Sequence, residues 1–532
     1  MRRSRLFFRG GKVASVASRW ISILLIIFCF ALLTLVSSCD SDDNSSTSSE
    51  QGDDDQSDDD DSAGDDDNDT GDDDDTIFPD DDDDDDDDDV PVDPDHPSTE
   101  VGVFVAVDGN DDAPGTMEQP VASITRGLTL AADAGKVVFV AQGLYREAVY
   151  TTVSLYGGYR TTDWQRDPQQ FVTHIKPTTN SALVVDGAAR GQPVTVDGFN
   201  IVGAVDDLHV YGVVIEHGPA ILSANTIACR SISHDSYADE VKSYGVYVQD
   251  GAQVTITGND ISGGPIRYTG VEVLPYGFQA AGIYVQEAGD LRIENNIVNA
   301  KSSACESLGA YMRSGAPLIT GNSFQGGTGY VSRGLLLADV ADAVIINNEI
   351  VSGIGMDSAG MFVSGEALLI NNTVQSNIAQ EACAMSLAGD FSVINNVIKP
   401  AAGTERIGIC LDEDTQIDLL NNDILAPGFT DAYLVIGDEN VRNIAAVNDC
   451  VWTGCRQAAD NLADDPALLS LFDRHLSEFS PCIDAGIDPS PWYDGPAIFL
   501  DYDGDTRPQG DAWDIGMDEL NEILLRVMGR GE

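Results

Sequence analysis

Apolar and polar positions alternate with a period of two through much of the chain. The runs are three to five residues long, separated by Gly, Asn and Asp. That period belongs to strands, not helices. Two short patterns recur in one phase. The first is a pair of alternating apolar residues, then Asn, then another apolar residue, as in Val254-Thr255-Ile256-Thr257-Gly258-Asn259-Asp260-Ile261. It returns as Ile345-Ile346-Asn347-Asn348-Glu349-Ile350, Leu369-Ile370-Asn371-Asn372-Thr373-Val374 and Val393-Ile394-Asn395-Asn396-Val397-Ile398. The marker series is Asn225, Asn259, Asn296, Asn322, Asn348, Asn372, Asn396, Asn422 and Asn448, with Phe199 in the same slot one repeat earlier. The second pattern is a small residue followed by apolar–x–apolar, at Gly212, Gly245, Gly282, Gly309, Gly334, Gly360, Ala384, Gly408 and Ala432.

The last four marker intervals are 24, 24, 26 and 26 residues. No repeat can bury its apolar face alone, but stacked repeats bury it continuously. This length fits one coil of a parallel β-helix. A leucine-rich repeat needs a Leu-x-x-Leu-x-Leu frame, which is absent, and a propeller blade needs about 40 residues. The expected fold is therefore all-β: a single right-handed parallel β-helix, with coils over 161–455, an N-terminal helix-containing cap over 98–160 and a C-terminal capping segment over 456–532. The Asn column is expected to be structural. Asn tolerates a left-handed backbone at a corner, and stacked amides hydrogen-bond along the column.

The gap after each Asn strand varies, and it is longest over 231–243 and 262–280. Successive coils place these insertions on one face, where solenoids bind their ligands. They carry His234, Asp235, Tyr237, Asp239 and Glu240, then Arg267, Tyr268, Glu272, Tyr276 and Phe278. Aromatics beside carboxylates and Arg suit a carbohydrate, whose ring faces stack and whose hydroxyls accept hydrogen bonds. Ordinary loop decoration is the competing reading.

The N-terminus changes the picture of location. Arg2, Arg3, Arg5, Arg9, Lys12 and Arg19 precede an apolar run from Trp20 to Val36. This is the form of an export signal. The run ends in Val36-Ser37-Ser38-Cys39, which resembles a lipobox, so 1–39 reads as a lipoprotein signal peptide with lipid on Cys39. The alternative is an uncleaved anchor. Residues 40–97 follow as an acidic tether, and 40–95 hold 31 Asp/Glu and no Lys or Arg. Such a segment stays extended and reaches on the order of 190 Å when fully stretched. The implied place is the cell envelope, at an outer membrane or cell surface in preference to an inner membrane.

The whole chain of 532 residues carries a formal charge of −61. That repels nucleic acid and anionic headgroups. The expected partners are the membrane, through the lipid, and a polysaccharide; a monomer is expected. There are nine Cys and no C-x-x-C pair. For an exported protein Cys450–Cys455 is the first disulfide expectation and Cys383–Cys410 the second. Free thiols buried in a repeat core are an equal alternative.

Near the start, the order Asp108, Gly109, Asp111, Pro114, Gly115, Thr116, Pro120, a helix over 124–134, a strand over 137–140 and Gly143 closely resembles the N-terminal cap of secreted right-handed β-helix proteins, including polysaccharide lyases and families of unknown function. Near the end, Ser480-Pro481-Cys482-Ile483-Asp484-Ala485-Gly486 and Asp503-Gly504-Asp505-Thr506-Arg507-Pro508 look like the closing segment of choice-of-anchor-type β-helix proteins. Asp501, Asp503 and Asp505 alternate like the start of a calcium loop, but the Glu of position twelve is absent. Pairing with Arg507 explains them equally well. No cofactor is expected, with Ca²⁺ at these three residues as the open alternative.

The resemblance makes an enzyme the natural rival to a binding protein. Lyases of this fold set an Arg or Lys base beside carboxylates, and the hydrolases group Asp residues on adjacent coils. Here Arg267, Lys301, Arg313, Arg333 and Lys399 fall at different register positions. Asp357 and Glu381, in neighbouring loops, are the weak catalytic pair. The preferred expectation is non-catalytic binding or adhesion to polysaccharide or another surface ligand. The alternatives are a polysaccharide lyase or glycoside hydrolase, and a passive stalk. Replacing Cys39 by Ser is expected to release the protein from the membrane fraction and to abolish incorporation of labelled fatty acid.

Overall fold

The structure is a computed structural model. It describes residues 92–520 except 180, 189–190, 237–238, 271–276, 380, 401–405, 427, 429–430 and 471. The signal segment with Cys39, the tether up to residue 91, and Tyr237, Glu272 and Tyr276 lie outside the described residues.

Strands stack in parallel on three faces. The first holds the small-residue pattern, as in His209–His217, Val241–Asp250, Phe278–Glu287 and Glu306–Arg313. The second holds the strand before each marker Asn, as in Ala220–Ser223, Val254–Thr257 and Arg292–Glu294. The third follows that Asn, as in Thr226–Cys229, Asp260–Ser262 and Ile297–Asn299. In the strands Val331–Ile346, Asp357–Ile370 and Glu381–Ile394 the first two faces run together without a break.

Every face sends one apolar column inward. On the first, Val246, Ile283, Ala310, Leu335 and Met361 are register partners. On the second they are Leu222, Ile256, Ile293, Ile319, Ile345 and Leu369. On the third they are Ile227, Ile261, Val298, Phe324, Ile350 and Val374. All are buried in one continuous core. Each coil therefore excludes water only with its neighbours' help. The recurrent small residue has a steric cause. A Cβ on Gly282 would come 2.4 Å from Val298 Cγ1, so the third face could not close against the first.

The marker Asn residues form a buried amide ladder. Each Nδ2 donates to the Oδ1 of the next Asn, from Asn225 through Asn259, Asn296, Asn322, Asn348, Asn372, Asn396 and Asn422, at 2.9–3.1 Å. The structure corrects two expectations here. The ladder Asn is not itself the left-handed residue; the residue before it is, as at Gly258, Asn347, Asn371, Asn395 and Asn421. The slot after Asn422 belongs to Asn461, and Asn448 only terminates the ladder behind it. The coil likewise runs past 455, because Cys455–Ala459 pairs with Gln416–Leu420.

The N-terminal end is covered by α1, Ile124–Ala134. Ser123 caps it, Gly135 ends it at φ 68°, and the Glu147 carboxylate accepts the N–H groups of Ile124 and Thr125 at 2.8 and 3.0 Å. Such anchoring satisfies donors that a helix start leaves free. Asp111 accepts the N–H groups of Ala122 and Ser123, so the motif that resembles the β-helix cap is architectural.

The other end differs from expectation. It is closed by the hairpin of Ala432–Ile436 and Glu439–Val441, the short helix α2, Ile444–Asn448, and buried Trp452. The segment after 462, expected to cap that end, instead runs back along the corner between the second and third faces. The left-handed Asn residues hold it by their outward amides. Asn421 donates to Ala485 O, Asn395 to Ile487 O, Asn371 to Asp514 O and Gly516 O, and Asn347 to Ala497 O. Beneath it Ile346, Ile370, Ile394 and Leu420 pack on Ile498 and Trp513.

This tail buries acids. Asp423 lies under Cys482, whose thiol donates to its carboxylate at 3.3 Å, and burial pushes its pKa up to about 7. Burial, then Glu519, does the same to Asp514, also to about 7. Such groups hold protons in the fold that the unfolded chain releases near 3.8. Their stabilisation is complete below that value and is lost as pH rises through about 7. Asp423→Asn should therefore gain on the wild type by roughly 2–4 kcal/mol between pH 5 and pH 8, read as denaturation midpoints at both pH values. Replacing Asn372 by Ala leaves the buried N–H of Asn348 without its acceptor and its amide one acceptor short. It should cost about 3 kcal/mol in urea titrations, whereas substituting an exposed polar residue on the outer side of the third face should cost little.

Candidate functional site

The two longest insertions fold onto each other. Ile232–His234 and Ile266–Tyr268 pair in parallel as a separate small sheet, with Ser233 opposite Arg267 and His234 opposite Tyr268. Ile232 and Ile266 turn inward on Val210, Val241, Phe278 and Ala280 at the start of the first-face strands. The His234 ring packs 6.1 Å from Phe278, and Tyr268 meets the same ring edge-on at 5.8 Å. His234 Nε2 lies 2.7 Å from Asp239 Oδ2, which, with Ser236, holds the Asp239 carboxyl below its usual pKa. So His234 and Tyr268 support the insertion as much as they present it. Asp235 and Arg267 face solvent.

The insertion borders the outer side of the first face, where a different set of residues gathers. Tyr247, Tyr284 and Tyr311 are register partners in successive coils. Their ring centroids are 5.8 and 4.7 Å apart. Tyr211 and Tyr244 join the row, with Tyr244 stacked on Tyr284 at 4.5 Å and 6°. Leu336 and then Phe362 continue its line.

Beside the rings runs a polar chain. The Tyr244 hydroxyl donates to Gln279 Oε1, and Gln279 Nε2 donates to Glu306 at 2.6 Å. Burial pushes the Glu306 carboxyl up, against the opposing pull of Gln279 and of the Arg333 guanidinium. Arg333 is nearly buried and grips both Asp357 oxygens at 2.8 Å.

Arg333 and Asp357 occupy different register positions, but the long side chain crosses two residues to reach the next coil. Asp357 and Glu381 are register neighbours, as expected of adjacent coils. The side chain of Glu381 lies outside the described residues. With both oxygens bound to Arg333, Asp357 is not placed as a free acid or base.

The three Asp residues of the candidate calcium loop do not converge. Buried Asp501 accepts the N–H groups of Asp503, Asp505 and Glu519. Arg507 pairs with Glu519 at 3.2 Å. Asp503 turns instead to His475, 2.9 Å away, near Asp518. Disulfides join Cys450 to Cys455 and Cys383 to Cys410. Among the described residues Cys229 and Cys482 are free thiols.

Two family models match the chain. The right handed beta helix region model covers residues 234–424. That of a protein of unknown function, DUF1565, covers 107–304. This chain forms a right-handed parallel β-helix. No curated protein matches it. Among solved structures, XylC in complex with xylose is similar at 12% identity over 78% of this chain and 98% of that one, with a TM-score of 0.42. The GH136 lacto-N-biosidase from Eubacterium ramulus is similar at 11% over 68% and 67%, TM-score 0.27. PfbA, a surface adhesin of Streptococcus pneumoniae, is similar at 13% over 58% and 87%, TM-score 0.25. At such identities a likeness concerns chain path and carries no activity across.

On this β-helix the tyrosine row had a signal in the sequence. Gly245-Val246-Tyr247, Gly282-Ile283-Tyr284 and Gly309-Ala310-Tyr311 repeat Tyr at one phase. Period-2 alternation puts that position outside. Gln279 and Glu306 are register partners in the same pair of strands, so the shared phase sets them side by side, and only the direction of their side chains needed the structure.

Proposed function

We propose that this protein is an exported, lipid-anchored β-helix that binds an extended polysaccharide across its first face without cleaving it. The carrying observation is the row of Tyr247, Tyr284 and Tyr311 beside the hydrogen-bonding chain of Tyr244, Gln279, Glu306, Arg333 and Asp357. A polysaccharide presents alternating apolar ring faces and hydroxyl edges. Tyr244 and Tyr311 are buried and stack on the faces of Tyr284, so the row offers a ligand the ring edges and hydroxyls of half-buried Tyr247 and Tyr284, flanked by polar groups already held in place. The variable insertions with Asp235 and Arg267 stand at one edge of this face.

Glycoside hydrolysis uses two carboxyl groups that face one bond. Asp357 is held by Arg333, and Glu306 accepts from Gln279 under burial. That favours binding over a hydrolase. Two disulfides favour an oxidising compartment and thus export. Cys39 would carry the lipid and the Asp-rich tether would hold the β-helix off the membrane, at an outer membrane or cell surface, as a monomer.

The test is a glycan panel with product analysis on the purified protein. Binding without new reducing or unsaturated ends is expected. Tyr284→Ala should weaken it about tenfold, the loss of one aromatic edge and its hydroxyl, with the thermal midpoint showing an intact fold. Turnover would move the assignment to an enzyme, and no interaction with any glycan would leave a passive stalk.

A further inference from the structure

The tyrosine row has a defined end. Beside Tyr211 lies a half-open cavity of about 210 Å³ lined by Ser181, Asp206, Asp207, His209 and Tyr211. One wall is a tight hairpin in which Val205 and Asp206 fold back on Val210 and His209. The rings of His209 and Tyr211 stack at 5.9 Å and 21°, and Tyr211 leads on to Tyr247 at 5.3 Å. The cavity is therefore continuous with the aromatic row.

Its charge is unbalanced. Asp206 and Asp207 are exposed, and among the described residues neither carboxylate has a hydrogen bond or ion pair. Lys242, the register partner of His209, is held by Glu240 at 2.9 Å. Burial, and then Lys242, hold His209 below its usual pKa, so its ring is neutral at neutral pH. Two uncompensated carboxylates thus share a small cavity with a neutral imidazole, a phenol and a hydroxyl. A cation is attracted there, and an anion is repelled.

We propose that this cavity binds one protonated amino sugar, the cationic residue of a polysaccharide that continues over the tyrosine row. The extension along the row rests on the proposed function; the cavity itself does not. The ammonium sits between Asp206 and Asp207, the pyranose covers the His209–Tyr211 stack, and Ser181 and His209 meet its hydroxyls. An N-acetylated sugar cannot neutralise the carboxylates, and a uronic acid adds a third negative charge.

The test uses the full chain in calorimetric titrations with glucosamine oligosaccharides, N-acetylglucosamine oligosaccharides of the same length, and a neutral glucan. The free amine is expected to bind about tenfold more tightly than the acetylated form. The double variant Asp206→Asn, Asp207→Asn should lose that preference and keep its thermal midpoint. Equal affinity of the two forms for the wild type overturns the proposal. So does an amine preference that survives in the double variant, since it then belongs to the acidic surface at large. If neutral and acetylated glycans fail to bind while the amine preference depends on Asp206 and Asp207, the cavity stands and the tyrosine-row reading falls. If glycans bind through Tyr284 with no amine preference, only the cavity falls.

Discussion

A buried column of amides holds this molecule in register. Asn372 shows the logic. Its Nδ2 reaches Asn396 Oδ1 and the carbonyl of Ile345, while its Oδ1 accepts both the backbone N–H and the amide of Asn348. Each Nδ2 finds one acceptor in its own coil and the rest in neighbouring coils, while each Oδ1 is met only from a neighbouring coil. A buried polar group without partners is costly, so a slip of one strand by one residue would strand a whole amide as well as turn its apolar column outward. The hydrophobic columns drive stacking, but Ile, Val and Leu at equivalent positions tolerate small errors of alignment. The amides do not, because hydrogen bonds fail within a few tenths of an ångström and a few tens of degrees.

The same corner does a second task with the neighbouring residue. The left-handed position before each ladder Asn can be Gly, as at Gly258 and Gly321, where nothing more than backbone freedom is needed. At Asn347, Asn371, Asn395 and Asn421 an amide points outward and receives the returning C-terminal tail. The doublets at 347–348, 371–372, 395–396 and 421–422 thus mark coils on which the tail lies. Covering that flank buries Asp423, Asp514 and the Arg507–Glu519 pair, and burial pushes both Asp carboxyls up to about 7.

The first face is left open by this arrangement, and its chemistry follows from coil spacing. Tyrosines at one register position must lie within stacking distance, since strands repeat at about 4.8 Å. Acids and Arg at adjacent positions must meet across coils.

Much of this was legible in the sequence. Period-2 alternation gave strands, the shared phase of the Asn and small-residue patterns gave stacked coils, and the variable gap located the insertions. The helix over 124–134 was readable because its apolar spacing and Gly135 are local signals. The repeat even displayed the tyrosine row. Other features needed the tertiary structure, because they depend on what comes near from far along the chain. Asn461 takes the ladder slot after Asn422, 39 residues away, where periodicity pointed to Asn448. Arg333 reaches Asp357 across a register step. Asp501 accepts N–H groups from its own turn and from Glu519, a partner that no spacing announces. The tail lies on the flank and not over the end, because no repeat pattern encodes where a non-repeating segment docks. Local periodicity determines the coil; only the packed solid decides which side chains of different coils, or of none, become neighbours.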